Sequence, residues 1–101
     1  MTTNALREIE KISGQTLTLG NLIWSIRTCD ELSQSAFAKK LKVSRQYLCD
    51  LERGRKFVSA KKAQEFAKKL GYSSEQFIAL ALQDSLNQGG IHFEVTLKAV
   101  A

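Results

Sequence analysis

The chain has 101 residues, 44% of them apolar and 25% charged, enough for one domain around a single modest core. No apolar run approaches the roughly 18 residues of a membrane span, and the opening MTTNALREIEK lacks the basic-then-apolar pattern of a secretory signal. The net charge of +5 is unevenly placed, since residues 34–69 hold eleven Lys/Arg against three Asp/Glu, a concentration that attracts polyanions and is also what a solvated lysine-rich face looks like.

In chain order the pattern is helical almost throughout. Leu6, Ile9 and Ile12, three apart, predict a helix over residues 4–12 stopped by Ser13-Gly14. Thr18 is placed to cap a helix from Leu19 to about Glu31, with Leu19, Leu22, Ile23 and Ile26 in one stripe and Trp24 at its edge. Ser33 caps a short helix, Gln34 to Leu41, carrying Phe37, Ala38 and Leu41 inward. Ser44 caps another, Arg45 to Glu52, carrying Leu48 and Leu51, so that only Lys42, Val43 and Ser44 separate the two. Ser59 opens a fourth helix with Ala63, Phe66, Ala67 and Leu70 inward, and Gly71 ends it as a left-handed residue. Ser73 with Gln76 is a capping-box signature for a fifth, from Ser74 to about Asn87. After Gly89-Gly90 the period changes to two: Ile91, Phe93, Val95, Leu97 and Ala99 alternate with His92, Glu94, Thr96 and Lys98, which predicts a one-faced β-strand.

Two helices joined by so short a turn cannot lie flat against each other. They cross steeply and bury Phe37, Ala38, Leu41, Val43, Leu48 and Leu51 against their neighbours. Arg45, Gln46, Cys49 and Asp50 then remain on the outer side of the second helix. A helix fits the major groove of double-stranded DNA, where Arg pairs with guanine O6/N7 and Gln with adenine N6/N7. Those four residues are the candidate readers of base edges.

At these positions the sequence resembles the helix-turn-helix domain of the phage Cro/repressor, or XRE-like, family. The residues that carry the likeness are Gln34-x-x-x-Ala38, Val43-Ser44 and Leu48-x-x-Leu51-Glu52-x-Gly54, and it extends over about residues 19 to 82. The resemblance implies base contacts from Arg45, Gln46 and Asp50, a phosphate contact from Gln34, and an ion pair between Arg27 and Glu52. Two departures stand out: Lys42 occupies a turn position that is often glycine, and Phe57-Val58 precede Ser59 where the family often has proline.

The remaining candidates come from position. Arg53, Arg55 and Lys56 follow the reading helix where a duplex backbone would pass, and with Gln34, Ser44 and Tyr47 they make up the expected phosphate-contacting set. Tyr47 either stacks on a sugar-phosphate or covers the edge of the motif. Cys49 reads as a small neutral contact, the alternative being a thiol sensor, and His92 as an exposed residue without a role.

Cys29 and Cys49 have no CxxC spacing and the chain has one histidine, so neither a disulfide framework nor a zinc site is suggested. With no phosphate loop and no nucleophile–base pair either, the expectation is a protein that is not an enzyme and takes no metal or cofactor. The expected fold is all-α, five helices with a C-terminal strand. It divides into an extension over residues 1–17, a DNA-binding domain over 18–88 and a dimerisation strand over 89–101.

A lone strand leaves open edges and an apolar face. Ile91, Phe93, Val95 and Leu97 are therefore expected to pair with the same strand of a second copy, the alternatives being docking onto a partner protein's sheet or pairing with the short Thr16 to Leu19 segment of the same chain. The function expected is a sequence-specific transcriptional regulator, most simply a homodimeric repressor of its own promoter on a palindromic operator. An antitoxin that binds its operator and also holds a toxin protein is the alternative. An adaptor without DNA binding is opposed by Arg45, Gln46 and the local positive balance. The expected location is the cytoplasm, at the nucleoid, with no membrane partner.

Overall fold

The structure is a computed structural model, and it describes residues 17–100. The helix expected over residues 4–12 and the expected extension lie outside the described residues, apart from Leu17. Five helices follow in order, α1 Leu19–Cys29, α2 Gln34–Leu41, α3 Arg45–Glu52, α4 Ala60–Leu70 and α5 Ser74–Gln88.

Each begins at the hydroxyl residue the sequence marks. Thr18, Ser33, Ser44, Ser59 and Ser73 all have extended backbones, and their side chains accept from Asn21, Ala36, Tyr47, Lys62 and Gln76 backbone N–H groups. Each cap satisfies one donor that the first turn leaves without a helical partner. At the far ends the chain must turn left-handed. Gly71 does so at φ 75° after α4, and Lys42 does so at φ 59° after α2. The lysine thus adopts the conformation that glycine takes without strain, held by Lys42 N–H to Lys39 O and Val43 N–H to Ala38 O. The first helix is two residues shorter than its sequence pattern: it stops at Cys29, and Glu31 turns left-handed at φ 56° to send the chain into α2.

The core is one cluster. Leu19, Leu22, Ile23 and Ile26 of α1 meet Phe37, Ala38 and Leu41 of α2, Leu48 and Leu51 of α3, Val58 of the loop, Ala63, Phe66 and Ala67 of α4, and Phe77 and Ala81 of α5. Val43 and Leu70 sit at its margin. α4 and α5 pack side by side, α2 crosses α3 and rests on α4, and α1 closes over α3 and α5. The close approach of α1 to α3 is made by Gly20, where a Cβ would overlap the Leu51 carbonyl oxygen.

The expected C-terminal strand is absent. All the regular structure among the described residues is helical, and residues 91–100 form no strand. The segment leaves α5 through a cap in which Ile91 N–H donates to Leu86 O, with Gly90 at φ 72°. It then runs back along α5, its first half beside Ala79, Leu80, Gln83 and Asn87 and its end beside Ile78, Glu75 and Gln64 of α4. The Gln83 carboxamide takes the place of a neighbouring strand: it donates to Phe93 O at 2.7 Å and accepts from Val95 N–H at 2.8 Å. Alternation therefore serves to lay a segment on a helix, with Val95 and Leu97 half-buried, instead of building a ladder. Ile91 and Phe93 do not join them; Phe93 is 72% exposed. The strand pairing expected of Ile91, Phe93, Val95 and Leu97 is corrected accordingly.

Candidate nucleic-acid interface

The frame of the site is an ion pair. Arg27 of α1 grips Glu52, the last residue of α3, at two points, Nε to Oε2 at 2.8 Å and Nη2 to Oε1 at 3.1 Å, while its Nη1 donates to Leu32 O at 2.9 Å in the loop before α2. Glu52 is almost fully enclosed, its side chain 4% exposed, and it accepts a further bond from Gln34 Nε2 at 3.1 Å. A buried carboxylate with three N–H donors is well compensated, and one partner lost would leave an unpaired charge. This pair ties α1, the loop, α2 and α3 into one body.

Leu48 and Leu51 anchor α3 in the core, which decides what its other face offers. Arg45 and Gln46 are exposed, and Cys49 and Asp50, one turn on, are half-buried on the same side. Asp50 is heavily engaged. Its carboxylate accepts from Gln46 Nε2 at 3.1 Å and lies 3.9 Å from the Arg55 guanidinium. Its backbone carbonyl accepts from both Arg55 N–H and Lys56 N–H. The loop is folded back in this way because Gly54 takes φ 76°, a region closed to most side chains. Arg53, Arg55 and Lys56 consequently stand exposed at the C-terminal end of α3.

The other expected phosphate residues are placed less freely. Gln34 opens α2 but spends one amide hydrogen on Glu52. Ser44 is exposed, and its oxygen accepts from Tyr47 N–H while its own hydrogen is left to donate. Tyr47 is half-buried against the core, with the Lys56 ammonium 5.2 Å from its ring centre. Burial pushes its phenol pKa up, so it stays a neutral donor. Lys39, Lys40 and Lys42 are exposed around the turn that leads into α3 and were not among the expected phosphate contacts, although their signal was present in the local charge. The sequence reading also missed Lys69, whose ammonium caps the end of α2 at Leu41 O, 3.1 Å away.

A two-helix unit joined by a short turn, with the outer face of its second helix exposed and cations around both ends of that helix, is suited to entering a groove and neutralising the phosphates beside it. A protein-family model described as Helix-turn-helix matches residues 31–77, from the loop before α2 to the first turn of α5. No curated protein and no solved structure matches the chain. The match supports a helix-turn-helix domain of the Cro/phage-repressor, XRE-like type over residues 31–77, and such a domain supports a DNA-binding transcription regulator. No helix among the described residues is long and apolar enough to cross a membrane.

Proposed function

We propose that the protein is a sequence-specific repressor that acts as a homodimer on a palindromic operator. In this reading Arg45 and Gln46 meet base edges while Ser44, Arg53, Arg55 and Lys56 meet phosphates. The observation that carries the reading is the exposure of Arg45 and Gln46 on a helix whose opposite face, Leu48 and Leu51, is locked into the core. Length supports the dimer. α3 has eight residues, about 12 Å of helix at 1.5 Å per residue, which lies along only about four base pairs at 3.4 Å each. So short a site recurs throughout any genome, and a two-fold repeat of it restores specificity. Autoregulation is the simplest use of such a repressor.

Selection of bound duplexes from random DNA, together with solution mass, tests this. The expected result is a palindrome whose half-sites are about one helical turn apart, and a mass of two chains on DNA. A consensus with no symmetry, bound by one chain, refutes the dimer. Operator binding that requires the product of a neighbouring gene supports the antitoxin alternative.

A further inference from the structure

We propose that Asp50 is a positioning residue: it holds the Gln46 carboxamide in the one orientation that selects adenine, and does not itself read a base. This rests on the DNA-reading role of α3 and specifies what one of its side chains recognises.

The two residues are one turn apart on α3 and joined at 3.1 Å, Gln46 Nε2 donating to Asp50 Oδ1. An ionised carboxylate only accepts. Gln46 must therefore turn its nitrogen toward Asp50, and its Oε1 cannot take that place. What remains unused on the exposed carboxamide is one acceptor, Oε1, and one N–H. This pair matches adenine, which presents the N6 amino group as donor and N7 as acceptor in the major groove. Guanine presents two acceptors, O6 and N7. One of them would face Oε1 and be repelled whichever way round the carboxamide lay; the amide could satisfy both only by donating both of its N–H groups, and Asp50 holds one of them. Holding the amide thus adds rejection of guanine to attraction for adenine.

Asp50 is poorly placed to read a base itself. Its side chain is only 17% exposed, one oxygen is shared by Gln46 and the Arg55 guanidinium 3.9 Å away, and its backbone carbonyl is bound to the following loop. The Arg55 side chain, 64% exposed, offsets the negative charge that Asp50 brings toward the phosphates and retains donors for a phosphate of its own.

The experiment uses the full chain and the duplex selected from random DNA, with each base pair of a half-site replaced in turn. Binding is followed by fluorescence anisotropy for the unmodified protein, Asp50→Asn, Asp50→Ala, Gln46→Ala and the Gln46→Ala/Asp50→Ala double variant. Thermal melts accompany each, and Asp50→Asn keeps the shape of the side chain. The expected result is that both Asp50 variants lose about tenfold in preference for A·T over G·C at a single position, within the range a paired contact supplies. Preferences elsewhere stay as they were, random DNA is bound equally or more tightly, and Asp50→Ala changes nothing further once Gln46 is alanine. An Asp50 effect that falls on a different base pair, or that persists without Gln46, shows Asp50 reading directly and overturns the proposal, as does unchanged discrimination. If the unmodified protein selects no consensus at all, the DNA-reading role of α3 fails first and the proposal falls with it.

Discussion

Asp84 is the buried charged residue among the described residues, 5% exposed on the inward face of α5. Its Oδ2 accepts from Leu19 N–H at 3.0 Å, so the fifth helix caps the first, while its Oδ1 is buried with no partner among the described residues. Desolvation by burial pushes the carboxyl from 3.8 up to about 6, against the opposing pull of the Leu19 bond. The folded state thus prefers the protonated acid. Its contribution to stability is fully present below about pH 3.8 and is lost as pH rises through about 6. A shift of about two units at 1.36 kcal/mol each is worth about 3 kcal/mol. Asp84→Asn tests this. The amide oxygen can still accept from Leu19, no charge is buried at any pH, and the amide nitrogen buries two unpaired N–H donors where the protonated acid buries one O–H, a net cost of about 1–2 kcal/mol. At pH 8 the variant should therefore be more stable by about 1–2 kcal/mol and melt several degrees higher. At pH 4 the advantage should vanish or reverse. Urea and thermal unfolding of both proteins from pH 4 to 8 give the difference curve, in which the other titrating groups cancel. A stability difference that stays constant across that range would refute the burial argument.

Arg45→Ala should lose about 1–3 kcal/mol on the selected duplex and relax the consensus at one position; an unchanged consensus in a repeated selection means α3 is not the reader. Lys56→Ala should weaken specific and random duplexes alike and reduce the dependence of log K on log salt by about one phosphate, measured as affinity between 50 and 200 mM salt; an unchanged slope places Lys56 off the backbone. Gly20→Ala should destabilise by about 1–3 kcal/mol despite alanine's better helix propensity, since its Cβ would overlap the Leu51 backbone oxygen; a thermal midpoint equal to or above the parent's refutes that close approach. Glu52→Ala leaves Arg27 facing an apolar gap and should cost about 3–5 kcal/mol, seen in urea unfolding; a cost below about 1 kcal/mol would mean the pair behaves as if solvent-exposed.

Much of this protein is determined by short-range chemistry and was therefore legible in its sequence. Five hydroxyl residues before apolar-periodic runs start five helices, because a helix's first N–H groups need a nearby acceptor wherever the helix lies. The bounds of α2 and α3, the inward Leu48 and Leu51, and the outward Arg45 and Gln46 follow from the same spacing. The Arg27–Glu52 pair was legible through family resemblance, not through spacing. Tertiary structure decided the features that need a partner distant in sequence. Period-two alternation at the C-terminus says that one face is apolar but not what covers it. A strand requires another strand, and here Gln83 of α5 supplies those backbone bonds instead. Asp84 continues the stripe of Phe77 and Ala81, four and then three residues on, so its inward direction could have been read. That it caps α1, 65 residues earlier, could not, and neither could the contact that makes Gly20 small. Local hydrogen bonds need only neighbours in the chain; docking of one helix onto another depends on the shape of the whole core.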